Sequence, residues 1–431
     1  MRMTTRTSND TDTDESRATE TLTSTWPLRQ RLRPLYAGAA LQGVVLWVPI
    51  EKLFMKGIGF SVAQMGIVAA CYAAVVPFLE IPSGILADRW SRLGVLIAAN
   101  VALAASSLVG GLSTSVGTYI LAALLLGTFF ALQSGTVDSI IYDTVVEETG
   151  SSDGFEKAIG RLRVWQSATL VTSALAGGML AAIISPRLTY YVTVPFVLAS
   201  VCVLSRFREP AMSQPGEREP IREQIVTTYW TLLAHGPLRP VIAATVITSV
   251  LLQAIFEFGP LWMLAVAAPA FLYGPQWAGL MASSGIGGTI ASRLDLNRPA
   301  TVRTAAALLV GFALTLVVSD QAVILIAAQV GMAIVLVTIS VHLNRQLHDQ
   351  IPSTIRAGVS SGVGTLTWIT FLPFALVFGF VTNRSGIRGG GWIFVGAATI
   401  ASAAVFHLAA AHGTAPDPDA LTSADHPTAI G

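Results

Sequence analysis

The chain has 431 residues, 53% of them hydrophobic and 12% charged, with a mean hydropathy of +0.63. Soluble domains carry roughly 25% charged residues, so these proportions exclude a water-soluble globule and place most of the chain in lipid. A net charge of +1 offers no basic surface for nucleic acid. The two cysteines, Cys71 and Cys202, sit in apolar runs and read as small hydrophobes rather than a disulfide or metal framework.

In chain order, residues 1–30 open with Thr, Ser, Asp and Glu and show no apolar signal-peptide core. Such a stretch buries too little surface to fold and is expected to be a disordered cytoplasmic tail. A window of about 19 residues then finds twelve apolar segments, at 34–55, 62–87, 93–112, 117–142, 162–184, 187–205, 239–266, 273–291, 303–319, 321–344, 357–382 and 390–411. Each can cross a hydrocarbon layer of about 30 Å as a helix. The expected fold class is an all-α membrane protein with twelve transmembrane helices. A six-helix half over 31–205 precedes a cytoplasmic linker at 206–238, rich in Pro, Gly, Glu and Arg. A second six-helix half over 239–411 and a disordered tail over 412–431 complete the chain.

Charge fixes the expected orientation. With the N-terminus inside, the cytoplasmic loops receive Arg89, Arg92, Lys157, Arg161, Arg163, Arg206, Arg208, Arg293, Arg298, Arg345 and Arg356, among others. The opposite side receives Lys52, Lys56, Arg187, Arg384 and Arg388. This positive-inside bias predicts an inner (plasma) membrane protein with both termini cytoplasmic. An offset of 204 residues also superposes Gly84 on Gly288, Arg89 on Arg293, Gly127 on Gly331 and Asp138 on His342. Two parallel, pseudo-symmetric repeats of one six-helix half leave such a trace.

The loop after the second span reads Gly84-Ile85-Leu86-Ala87-Asp88-Arg89-Trp90-Ser91-Arg92. It resembles the signature of the major facilitator superfamily in sequence, in loop position and in its place within a 6+6 layout. The resemblance covers residues 30–411 and implies alternating-access transport of a small molecule without a cofactor. Within that family such carriers usually work as monomers. It also implies a conformational latch made by Gly84, Asp88, Arg89, Arg92 and Asp143. Gly84 would permit close helix approach, Asp88 would meet the start of the eleventh span near Ala357 and Gly358, and Arg89 or Arg92 would pair with Asp143. Two family elements of proton-driven drug exporters are missing. Ala131 stands near the place of a fourth-helix arginine, and Ser173-Ala174-Leu175-Ala176-Gly177-Gly178 keeps paired glycines without a Gly-Pro.

Ionisable residues inside spans are expensive and mark function by default. Glu51, Glu80, Asp138 and Glu257 are therefore the proton-coupling candidates, each with a structural alternative. Glu51 could be solvated beside Lys52, Glu80 could bond neighbouring helices, and Asp138 could pair with Arg161 or Arg163. Glu257 lies among Phe256, Phe258, Gly259, Pro260 and Trp262 with no basic neighbour in sequence, a setting that favours a cavity. His342 reads more readily as the partner of a local carbonyl. In the family the first and seventh helices line the central cavity, which makes Gln42, Trp47, Gln253, Phe256 and Trp262 candidate substrate contacts. Belt aromatics at the membrane interface are the alternative for the two tryptophans. No P-loop or H-E-x-x-H run is present, so neither direct ATP drive nor a metallopeptidase is expected, and no metal site. The expectation is a proton-coupled exporter of a lipophilic, drug-like compound. Import or uniport of a specific metabolite, and a receptor on a transporter scaffold, are the alternatives.

Overall fold

The computed structural model describes residues 28–210, 238–296, 298–351 and 356–413, and among these it contains helices and no strand. Nine of the described helices are long and apolar enough to cross a membrane, and the last, Val359–Ala410, has length for two crossings. The helices are α1 (28–42), α2 (Glu51–Gly57), α3 (Val62–Arg89), α4 (Arg92–Leu112), α5 (Val116–Gln133), α6 (Thr136–Thr149), α7 (Phe155–Ile183) and α8 (Pro186–Leu204). After the linker come α9 (Arg239–Ala265), α10 (Tyr273–Ala291), α11 (Pro299–Val318), α12 (Ala322–Asp349) and α13 (Arg356–Gly413). The linker at 211–237 and both tails lie outside the described residues.

The helices map onto the twelve expected spans, with three differences that local chemistry explains. The eleventh and twelfth spans follow one another without a loop and are divided by a kink at Gly386, whose φ of 74° no ordinary helical residue adopts. The fourth span is split at Gly135, φ 69°, into α5 and α6. The first span is broken in the middle. Helix α1 ends at 42, the backbone opens through Gly43–Trp47, and a short 3-10 turn over Val48–Ile50, with Pro49 inside it, leads into α2. Backbone released from a helix inside lipid must be satisfied by protein. Here the Leu46 amide donates to Thr193 Oγ1 at 3.0 Å.

The chain divides into two compact units, which follow the sequence halves except for two short exchanges. Ser61–Gly66 joins the second unit, where a Cβ built at Gly66 would lie 2.7 Å from the Ala375 carbonyl. Pro269–Ala278 joins the first, where a Cβ at Gly274 would sit equally close to the Ala174 carbonyl, at 2.8 Å. In lipid, helices gain little from the hydrophobic effect and associate through close packing and hydrogen bonds instead. Glycine supplies the closeness. A Cβ at Gly127 would stand 2.6 Å from the Tyr72 carbonyl, and one at Gly177 only 2.0 Å from the Leu46 carbonyl. In the first unit, Leu32, Leu35, Leu96, Ile140, Val145, Leu162 and Leu204 form one packed cluster.

Candidate functional site

The candidate residues fall into three groups. The first surrounds the loop after α3. Ser91 caps α4, its Oγ accepting from the Gly94 amide at 2.7 Å. Its hydroxyl in turn donates to Glu209 Oε2 at 2.6 Å, and Glu209 Oε1 accepts from the amides of Arg92 and Leu93 at 2.6 and 3.1 Å. A carboxylate thus closes the positive end of α4, where free N–H groups and the helix dipole both favour an anion. The Arg92 guanidinium is ion-paired with Asp143 on α6. Beside them Arg31 reaches Glu148 at 2.5 Å and Glu147 at 3.2 Å. Arg89 is exposed. Gly84 is exposed as well, and no described atom lies within 4 Å of a Cβ built there. The side chains of Asp88, Ala357 and Gly358 lie outside those described, and with them the expected meeting at the start of the eleventh span.

Sequence reading found Arg92 and Asp143 but missed Glu209. The signal was available: a carboxylate between Arg208 and Pro210, just beyond the sixth span. Replacing Glu209 with alanine is expected to destabilise by ~1–2 kcal/mol, the worth of a helix cap. It should lower the apparent melting temperature in detergent, with Glu209→Gln falling between alanine and wild type.

The second group lies at α2. Lys52 is 1% exposed and pairs with Glu51 at 2.8 Å. Tyr119 donates to Glu51 Oε1 at 3.0 Å, and the Tyr119 and Tyr190 hydroxyls lie 2.7 Å apart. Trp47 stacks on Tyr190 with centroids 5.1 Å apart and donates its indole N–H to Ser107 at 3.0 Å. Trp47 is therefore enclosed within this packing, 3% exposed. A buried ion pair is weak evidence of net stability, but losing one partner strands the other charge, at about 3–5 kcal/mol. Lys52→Ala should accordingly lower the melting temperature sharply, whereas the double change Lys52→Met with Glu51→Gln should restore most of it.

The third group runs along α9. Gln253 and Glu257 are one turn apart on one face, with Phe256 beside them, and all three are half-buried. The Gln253 Nε2 is buried and finds no hydrogen-bond partner among the described residues. Native folds pair such atoms in the large majority of cases. Phe258, fully buried, packs on Phe371 and Phe378 at 6.2 and 4.5 Å. Trp262 is 1% exposed and donates to the Leu316 carbonyl at 2.7 Å, so it too is part of the packing.

The remaining candidates are scattered. Gln42 donates to Gln133 at 2.6 Å. Asp138 is held by Arg163 at 3.0 and 3.2 Å on an exposed surface. Glu80 accepts from Ser134 at 3.3 Å, and His342 bonds Gln346 at 3.0 Å.

A helical, two-unit chain with these spans is a polytopic membrane protein. The sequence matches the Major Facilitator Superfamily over residues 34–361, and the chain belongs to that family. No curated protein matches it. Among solved structures it is similar to the nucleoside transporter NupG, at 12% identity and TM-score 0.72, covering 89% of this chain and 99% of that one. It is also similar to a bacterial homolog of the human lysosomal transporter Spinster, in an inward-facing and unoccupied conformation. That match has 14% identity and TM-score 0.73, and covers 90% of this chain and 99% of the other. A D-xylose-proton symporter matches at 12% identity and TM-score 0.64, over 86% and 96% of the two chains. At these identities the likeness concerns the fold.

Proposed function

We propose that this protein moves a small organic molecule across the membrane by alternating access, coupled to protons, with Gln253 contacting substrate and Glu257 carrying the proton. The observation that carries this reading is the buried Gln253 Nε2, which has no hydrogen-bond partner among the described residues and lies one turn from Glu257 on a half-buried helix face. A buried donor without an acceptor suits a site that a ligand completes. Glu51 is tied to Lys52 and Tyr119, and Asp138 to Arg163, which suits both to structural roles. Phe256 beside Gln253 and Glu257 supports an apolar or cationic substrate, because an aromatic face attracts both.

Export of a lipophilic compound is the direction that analogy with the family's drug exporters favours, although the fourth-helix arginine and the fifth-helix Gly-Pro of those exporters are missing. Import or uniport of a specific metabolite is the second reading, favoured by the solved nucleoside transporter and D-xylose-proton symporter of the same fold. Purified protein in proteoliposomes, given a pH gradient of either sign, separates the readings. Accumulation of a lipophilic cation against an opposing proton flux supports the exporter. Accumulation of a nucleoside or pentose along with inward protons supports the importer, and transport blind to the gradient defeats proton coupling.

A further inference from the structure

Beside the break in the first span lies a cavity of about 320 Å³ bounded by Val44, Leu46, Ser173, Ala176, Val192 and Phe196. Its size is at the lower end of the roughly 300–1,000 Å³ typical of ligand pockets. Thr169, which also lines it, is the middle residue of α7, and Phe196 lies near the middle of α8, so the cavity sits at mid-depth in the helices. Thr172, Ala176 and Phe196 are exposed and form its mouth.

Three observations define what would fit. Among the described lining residues none is ionisable, so a charged ligand would be stranded in an apolar setting. The Thr169 and Thr172 hydroxyls are spent on their own helix, donating to Trp165 and Ala168 carbonyls at 2.9 Å each. Ser173 differs: it is 4% exposed, lines the cavity, and its hydroxyl has no hydrogen-bond partner among the described residues. The wall on the α1 side is the opened backbone at Val44 and Leu46, which at this depth needs covering.

We infer that this cavity binds an uncharged, lipophilic molecule with one hydroxyl or carbonyl group, which reaches it from the hydrocarbon layer and hydrogen-bonds to Ser173. The site is built from α7, α8 and the opened segment after α1, whereas Gln253 and Glu257 lie on α9, so it stands independently of the proton-coupling reading.

The test uses the full chain in lipid nanodiscs with a diazirine-bearing octanol as photoprobe, and maps adducts on the tryptic peptide 164–187. The expected result is saturable labelling within 169–176, displaced by 1-octanol at concentrations at least about tenfold below those needed of n-octane. Ser173→Ala should weaken the probe by about two- to tenfold, the range of one hydrogen bond. Ala176→Phe, an exposed position at the mouth that leaves packing intact, should abolish labelling while the gel-filtration profile stays that of wild type. Labelling that does not saturate, or that survives Ala176→Phe, overturns the inference. So does equal competition by n-octane with Ser173→Ala unchanged, since a plain lipid tail would then be the occupant.

Discussion

Glu257→Gln is expected to abolish gradient-driven accumulation in proteoliposomes while leaving substrate exchange at equilibrium intact. One pH unit corresponds to about 1.36 kcal/mol per proton. A gradient of two units can therefore sustain up to about a hundredfold accumulation with one coupled proton. Glutamine resembles the protonated carboxyl in shape but cannot release a proton. The variant should fall to a ratio near one, yet still swap labelled for unlabelled substrate across the membrane. Loss of exchange as well would point to a structural or binding role for Glu257. Full retention of accumulation would move the coupling elsewhere. Gln253→Leu supplies a second readout on the same face: the buried amide donor is gone, so KM should rise with the gradient dependence preserved.

The second large effect is expected at Gly177. A Cβ there would stand 2.0 Å from the Leu46 carbonyl oxygen and 2.9 Å from its carbon, both backbone atoms that cannot swing aside. Gly177→Val should prevent the opened segment from seating against α7 and remove most folded protein from the membrane, seen as loss of the monodisperse peak after solubilisation. Gly84→Ala is the matched control. No described atom lies within 4 Å of the added carbon, and alanine is the better helix former by about 1 kcal/mol, so yield should hold or rise. A stable Gly177→Val protein would mean that the break in the first span is not a fixed part of the fold.

These two glycines show what the sequence could and could not disclose. Hydropathy made the spans legible, because lipid imposes a length and an apolarity that no other environment asks for. The repeat was legible too, down to matched environments. No described atom lies within 4 Å of a Cβ built at Gly84 or Gly288, whereas Gly127 and Gly331 are both crowded, one by the Tyr72 carbonyl and the other by the Phe312 ring. Sequence alone could not show which face of a uniformly apolar helix turns inward. Trp47 and Trp262 read equally as cavity or belt aromatics, yet both are enclosed with their N–H groups bonded. Nor could it show the break at 43–47, since Gly43 and Pro49 are its modest marks within a run of the usual hydropathy. Glu209 escaped for another reason. Its partners, the amides of Arg92 and Leu93, are more than a hundred residues away in sequence, and backbone donors leave no signature in composition.

The interrupted first span also bears on how the chain is assembled as it leaves the ribosome. The Leu46 amide is satisfied by Thr193, 147 residues later, and the Leu46 carbonyl is fitted against Gly177. When the first apolar segment enters the bilayer, neither has yet been made. Lipid offers no hydrogen bond in place of Thr193, so an unbroken helix is the expected form of that segment when it first resides in the membrane. The opening at 43–47 then belongs to a later stage, after the fifth and sixth spans have inserted, and a nascent chain released before residue 193 would carry a first helix of a different shape from that of the finished protein.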